Sequence, residues 1–322
     1  MKRLLLTMCG LLGALAWLIP APATAAEISA QVRDNEWTVK SGATTLCVYR
    51  FAPSLPKPYV SVLATTRGDN LLRDSPFDHK HHHALMYAVA VNGNNFWEEA
   101  PGHGVERHAG GASNTVVTRS DGSSHAIFHH KVRWLTSAAA ASSDSSPPAL
   151  LEESRTLKLT VDEKAREVAL QWRSEFAVAP NAPEVTISGS EYFGLGMRFL
   201  QELDPVSSPL IGTTRVESDR LVAPGPFGAM EFDAPGRPAT VALYASPANA
   251  KSPATFFTIR RTPFAYLSAT QALDKGPLKY KAGDRFAVEY LVVTYPEAKA
   301  PEDLAKRGAA WTRSLGAPAG SR

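Results

Sequence analysis

The sequence predicts an all-β protein, a large antiparallel β-sandwich in one domain with a short C-terminal helix. Three observations lead there. Apolar residues alternate with polar ones at period two over long stretches, turn dipeptides punctuate them at short intervals, and no strand–helix alternation is visible. Leu157, Leu159 and Val161 alternate with Lys158 and Thr160. Val168, Leu170, Trp172, Phe176 and Val178 keep the period through 167–180, and Phe286, Val288, Tyr290 and Val292 repeat it near the end. Further strands are expected at 38–51, 59–66, 85–91, 115–119, 126–135, 185–200, 240–245, 255–261 and 265–270. The 24 prolines and 22 glycines suit many short turns. One helix is expected from Pro301 to Leu315, with Glu302 and Asp303 in its first turn and Lys306, Arg307 and Arg313 later, as the helix dipole favours. The polar, low-complexity run 137–149 reads as a disordered surface loop joining two antiparallel strands.

The first 25 residues are not expected to belong to the fold. Lys2 and Arg3 precede an apolar run from Leu4 to Ile19, followed by the small residues Ala21, Ala23 and Ala25. That is the layout of a secretory signal peptide cleaved after Ala25 or Ala26, leaving one domain over 27–316 in the periplasm or outside the cell. The run is short for a membrane span of about 20 residues, so no stable membrane association is expected. Lys plus Arg total 34 against 31 for Asp plus Glu, a formal charge of +3, and +1 without Lys2 and Arg3. A near-neutral chain has no electrostatic footprint for nucleic acid. Beyond the leader one cysteine remains, Cys47, in a strand-like segment; it reads as a buried structural thiol.

All nine histidines lie between His79 and His130, four of them in Asp78-His79-Lys80-His81-His82-His83. Imidazole is the commonest metal ligand and the usual acid–base group near neutral pH. On a strand, His79, His81 and His83 share one face, Asp78 and His82 the other. Neighbours two apart are about 6.6 Å from each other and converge on one ion, whereas those four apart, about 13 Å, do not. In a turn, His79 meets His82 or His83 instead. His81, His82 and His83 are therefore candidate catalytic groups, and among His79, His81 and His83 an adjacent pair, His79 with His81 or His81 with His83, is a candidate ligand pair for one divalent metal ion, with the third ligand a carboxylate, His103 or His108. Asn92-Gly93 is a turn signal. Beyond it, Phe96-Trp97 beside Glu98-Glu99 suits the face and hydroxyls of a sugar. Downstream, Glu153 and Arg155 share a strand face, and Glu191 precedes Gly194, Gly196 and Arg198, glycines that allow close approach of a ligand or backbone. Either glutamate is a candidate base, metal ligand or ion-pair partner.

The run Pro58-Tyr59, Asp74, Pro76, Asp78-His79-Lys80-His81-His82-His83-Ala84, Val91-Asn92-Gly93, Phe96-Trp97 resembles the exported bacterial proteins labelled methane oxygenase PmoA-like. Glu153, Arg155, Glu191, Gly194-Leu195-Gly196, Arg198 and Ala245-Ser246-Pro247-Ala248-Asn249 are similar as well. Lys80, Ala84 and Asn95 stand where that family has proline, glycine and aspartate. The resemblance implies a galactose-mutarotase-like super-sandwich and work on carbohydrate, since such proteins accompany sugar oxidoreductases and keto-sugar hydrolases. The function expected is an epimerase, lyase or hydrolase acting on a small-molecule carbohydrate. A non-catalytic sugar-binding protein and a copper-dependent oxidase, as the family label suggests, are the alternatives. In the first of these readings His81 and His83 polarise a sugar oxygen, Glu191 or Glu153 is the base, Arg155 and Arg198 hold an oxyanion, and Asp78, Asn92 and Trp97 contact the ring.

Overall fold

Inward-facing apolar residues at every second position, on strands of up to twelve residues, build two large antiparallel sheets that close on one another. The computed structural model describes residues 28–118, 123–144, 146–180, 182 and 184–316; the leader read from residues 1–25 lies outside them. The first sheet has nine strands in the order Ile28–Arg33, Glu36–Ser41, Thr44–Arg50, Tyr59–Leu63, Leu85–Ala88, Gly194–Arg198, Phe264–Thr270, Thr255–Arg261, Arg220–Pro224. The second has ten: nine run from Thr214–Arg215 through Ser207–Ile211, Gly228–Phe232, Ala239–Ala245, Arg285–Tyr295, Glu167–Val178, Leu151–Asp162 and Ser124–Leu135 to Val105–His108, and the tenth, Ser113–Thr118, also pairs with Ser124–Leu135. A small third sheet joins Leu278–Lys281, Glu184–Ser188, Ala90–Val91 and Asn94–Asn95. Among the described residues no helix is long and apolar enough to cross a membrane.

The predicted alternation is visible in burial. Leu151–Asp162 alternates buried and half-buried residues along its whole length, and pairs antiparallel with Glu167–Val178 over twelve positions. Its inward residues join Trp37, Tyr49, Phe128 and Trp172 between the sheets. Arg285–Tyr295 is different, because both of its faces are covered: Val288, Tyr290 and Val292 face the sandwich core, while Leu291, Val293 and Tyr295 lie under the helix Pro301–Leu315 with Leu304 and Trp311. Cys47 is buried and free, and burial holds its thiol well above the usual range.

Four expectations need adjustment. The stretch 85–91 is two strands, Leu85–Ala88 in the first sheet and Ala90–Val91 in the small third one. The stretch 38–51 is two strands, turning at Gly42 with φ 55°. The stretch 185–200 is also two, Glu184–Ser188 and Gly194–Arg198, assigned to different sheets. And the connection after Ser124–Leu135, expected as a disordered loop at 137–149, opens with a one-turn helix, Ser137–Ala141. Thr136 caps that helix through its side chain and Ala139 is buried beneath it; a capping hydroxyl and a run of alanines suffice for one turn.

Candidate active site

The histidine segment is a pair of consecutive turns rather than a strand. The His79 amide donates to Pro76 O at 3.0 Å and the His82 amide to His79 O at 2.9 Å. The turns gather three imidazoles, with ring centroids 4.8 Å apart for His79–His82, 4.6 Å for His81–His82 and 5.8 Å for His79–His81. These rings form one side of a cleft of about 480 Å³ that also takes in Glu98, Glu191, Tyr192, Arg220, Phe257, Phe264 and Tyr266. Phe257 comes from Thr255–Arg261, Phe264 and Tyr266 from Phe264–Thr270, neighbouring strands of the first sheet.

The three imidazoles differ in state. His82 is buried, and burial followed by the nearby His81 pushes its pKa down to about 2, so it is neutral; its Nδ1 has no hydrogen-bond partner. His81 is half-buried and lowered by burial and by the Lys57 charge. His79 donates from Nδ1 to Asp78 Oδ2 at 3.1 Å. Opposite, Glu191 pairs with Arg220, whose guanidinium lies 5.3 Å from the Phe257 ring centroid. The Glu98 carboxylate has no ion pair among the described residues.

His83 points away from this cleft. Its Nδ1 lies 2.9 Å from Asp74 Oδ1 and its Nε2 2.8 Å from Glu99 Oε1. Carboxylates on both nitrogens require both to carry protons, so the ring is an imidazolium. Burial opposes that charge, but the two carboxylates outweigh it and raise the pKa. The pair His81 with His83 therefore does not converge on one centre, because both His83 nitrogens are directed to Asp74 and Glu99. Among the described residues no group of three or more His, Cys, Asp or Glu has the geometry to hold a metal ion. His103 sits elsewhere, hydrogen-bonded to Ala100 O, and His108 stacks on His130.

Glu153 and Arg155 do not reach the cleft either. Both side chains are wholly buried between the sheets. Arg155 donates to Glu153 from Nε and Nη2 at 2.6 and 2.8 Å, to Glu106 at 2.8 Å, and to Tyr49 OH and Pro58 O. Trp134 and Ser174 supply further donors to Glu153, leaving no capacity for a substrate. Trp97 is also fully buried, stacked on Phe193 at 5.2 Å, so its face is unavailable to a sugar ring. Asn92 is exposed at the hairpin turn, φ 49°, and its side-chain amide ties Glu184 and Thr186 to that turn; this is a structural task. Arg198 is buried beneath Phe264, 3.8 Å from its ring centroid, and donates to Asp78 Oδ2 at 2.9 Å. The Arg198–Asp78 pair thus braces the turn from below. Of the predicted site residues, His79, His81, His82 and Glu191 meet in the cleft.

The glycines act as the sequence suggests. A Cβ on Gly196 would overlap the Tyr266 hydroxyl and sit 3.0 Å from the Trp97 ring, and one on Gly194, at φ 144°, would strike the backbone of Ala269. Gly196→Ala is expected to cost about 1–3 kcal/mol by overpacking against rigid rings, read as a lower urea midpoint with unchanged slope. An unaltered midpoint would mean that Tyr266 moves freely.

Sequence reasoning missed Tyr192, Arg220, Arg261 and the aromatic wall of Phe257, Phe264 and Tyr266. A signal existed: in 255–261 and 264–270 both strand faces carry large apolar groups, which in an edge-ward strand means that the second face is covered or binds something.

A family model matches residues 36–308 and is described as a family of unknown function, DUF6807. The chain belongs to DUF6807. No curated protein matches the sequence. Similar solved structures include the GH36 alpha-galactosidase AgaB from Geobacillus stearothermophilus, with 10% identity over 84% of this chain and a TM-score of 0.49. An alpha-galactosidase from Lactobacillus brevis shows 7% identity over 88% and a TM-score of 0.46. A glycoside hydrolase family 97 enzyme from Pseudoalteromonas shows 7% over 83% and 0.38, the match covering 33% of that protein. The match covers 41% of each alpha-galactosidase.

Proposed function

We propose that this protein is an exported carbohydrate-active enzyme that moves protons on a sugar bound in the cleft, by epimerase, lyase or hydrolase chemistry. The observation that carries the reading is the meeting of three imidazoles from one turn with the carboxylates Glu98 and Glu191 between aromatic walls. A cleft of this size, mostly apolar with a few convergent polar groups, suits a small molecule, and aromatic walls with carboxylates suit the apolar face and hydroxyls of a pyranose. The motif resemblance to PmoA-like proteins supports the same reading, and the leader read from residues 1–25 supports export.

In this reading His81 is the general base, because it is neutral and reachable. His82, neutral and buried behind His81, backs that wall of the cleft. Glu98, close enough to His81 to act on its charge, is the partner acid or base, and Glu191 with Arg220 orients the sugar. No step is routed through a metal, since the expected ligand set does not converge.

The test is proton NMR of the full-length protein with a panel of glycosides and keto-sugars. Wild type is expected to convert at least one. His81→Ala is expected to lower that rate by about 100- to 10,000-fold with its amide dispersion unchanged. Saturable binding with no product, or wild-type turnover by His81→Ala, would overturn the reading.

A further inference from the structure

Behind the cleft, four ionisable groups run in a line from loop to loop. Asp74 and Glu99 hold the two nitrogens of His83, and Lys57 Nζ donates to the same Glu99 oxygen at 2.7 Å. Lys57 has no exposed surface and also donates to the Trp97 carbonyl at 3.0 Å. Tyr59 stacks on His83 at 4.5 Å and donates to Asp74 Oδ2 at 2.7 Å.

None of Asp74, His83, Glu99 and Lys57 lines the cleft, yet the two middle members of the line each adjoin a residue that does. His83 follows His82, and Glu99 follows Glu98. Neighbouring Cα atoms are about 3.8 Å apart, so fixing one side chain on the far side of the backbone fixes the next on the near side. We propose that the Asp74–His83–Glu99–Lys57 line is a positioning device that sets the distance between the cleft histidines and Glu98. The proposal rests on the cleft being the working site.

The composition of the line supports it. A buried ammonium and imidazolium are expensive to desolvate, and apolar packing of equal volume serves stability as well or better. What a directional line of charge-assisted hydrogen bonds supplies is register between two loops. Along that line Glu99 is the common acceptor, and its carboxyl is drawn down to about 2: burial acts the other way, but the His83 hydrogen bond and the Lys57 charge prevail. These are positioning residues, since none touches the cleft.

The experiment uses the full-length chain with His83→Gln, and Asp74→Asn as a milder break at the exposed end should His83→Gln not fold. The readouts are the imidazole ¹⁵N–¹H resonances of His81 and His82, and kcat against KM for the sugar that wild type converts. The expected result is shifted and broadened imidazole signals with kcat down on the order of 100-fold and KM held. Glu99→Gln, which preserves shape, should retain more kcat than Glu99→Ala. Folded His83→Gln or Asp74→Asn with wild-type imidazole signals would overturn the proposal. If wild type converts no sugar, the signals alone decide it, and a failure of the functional reading stays distinct from a failure of the positioning claim.

Discussion

Arg155→Ala is expected to destabilise the fold by about 3–5 kcal/mol, the usual cost of breaking a buried charge pair by removing one partner. The guanidinium is the hub of a dry site. It holds Glu153 through two hydrogen bonds, reaches Glu106 on the neighbouring loop strand, and lies 4.7 Å from the Trp172 ring centroid. Removing it strands the Glu153 carboxylate and takes a donor from the Glu106 carboxyl, both without exposed surface. A loss of that size approaches the whole stability of an ordinary domain, so the variant is expected to be largely insoluble or molten at 37 °C. The mechanism is checked by a triple variant, Arg155→Met with Glu153→Gln and Glu106→Gln, whose urea midpoint should lie above that of Arg155→Ala. If the triple variant is no more stable than the single one, the cost lies in lost packing on Trp172 rather than in the orphaned charges.

That site shows where sequence reading stopped. Spacing two on a strand correctly put Glu153 and Arg155 on one face, but period-two logic does not say which face is the interior when both residues are charged. Their inward direction follows from Leu151, Leu157 and Leu159 on the same face, a phase present in the sequence, although charge at two positions of a strand ordinarily marks its solvent side. The histidine turn was legible in type but not in direction. Four histidines in five positions pointed to the segment that lines the cleft, and the turn option paired His79 with His82 as the structure has it. Nothing local announced that His83 would turn its back on the others, because its partners Asp74 and Glu99 come from outside the motif. The sheets themselves were the most readable part, since long amphipathic strands such as 151–162 and 167–178 depend on little beyond their own alternation. The two-residue strands and the rim residues Arg220 and Arg261 depend on tertiary pairing and leave no periodic trace.

Folding stability is expected to peak close to pH 6.5 and to fall on both sides, for opposite reasons. On the acid side, His82 and His130 are buried and neutral, with folded pKa values held far below the unfolded value of about 6.5. His82 faces His81, His79 and Arg198 against the single carboxylate Asp78, and His130 faces Arg155, His108 and His129. The unfolded chain therefore binds protons below pH 6.5 that the folded chain refuses, and each residue removes about 1.4 kcal/mol per pH unit as pH drops. On the alkaline side, burial pushes Glu106 up to about 8, against the pull of Arg155 and with the repulsion of Glu153. A carboxyl raised in the folded state is bound to a proton there and ionised when unfolded, so its contribution is lost as pH climbs from about 4.5 towards 8. His83, raised by Asp74 and Glu99, has the same sign, its contribution complete below 6.5 and lost above its folded value. Between 4.5 and 6.5 the two neutral histidines outvote Glu106, and the net slope is a loss of about 1.4 kcal/mol per unit towards acid. Above 6.5 His82 and His130 are silent, and Glu106 removes about 2 kcal/mol by pH 8, with His83 adding to the same loss. Urea midpoints from pH 5 to 9 check the shape. Glu106→Gln should make the alkaline limb shallower, leaving the His83 part, and the acid limb steeper, and His82→Gln should soften the acid limb alone. A wild-type profile that keeps rising to pH 8 would mean that Glu106 is ionised in the folded chain and that Arg155 neutralises two carboxylates at once.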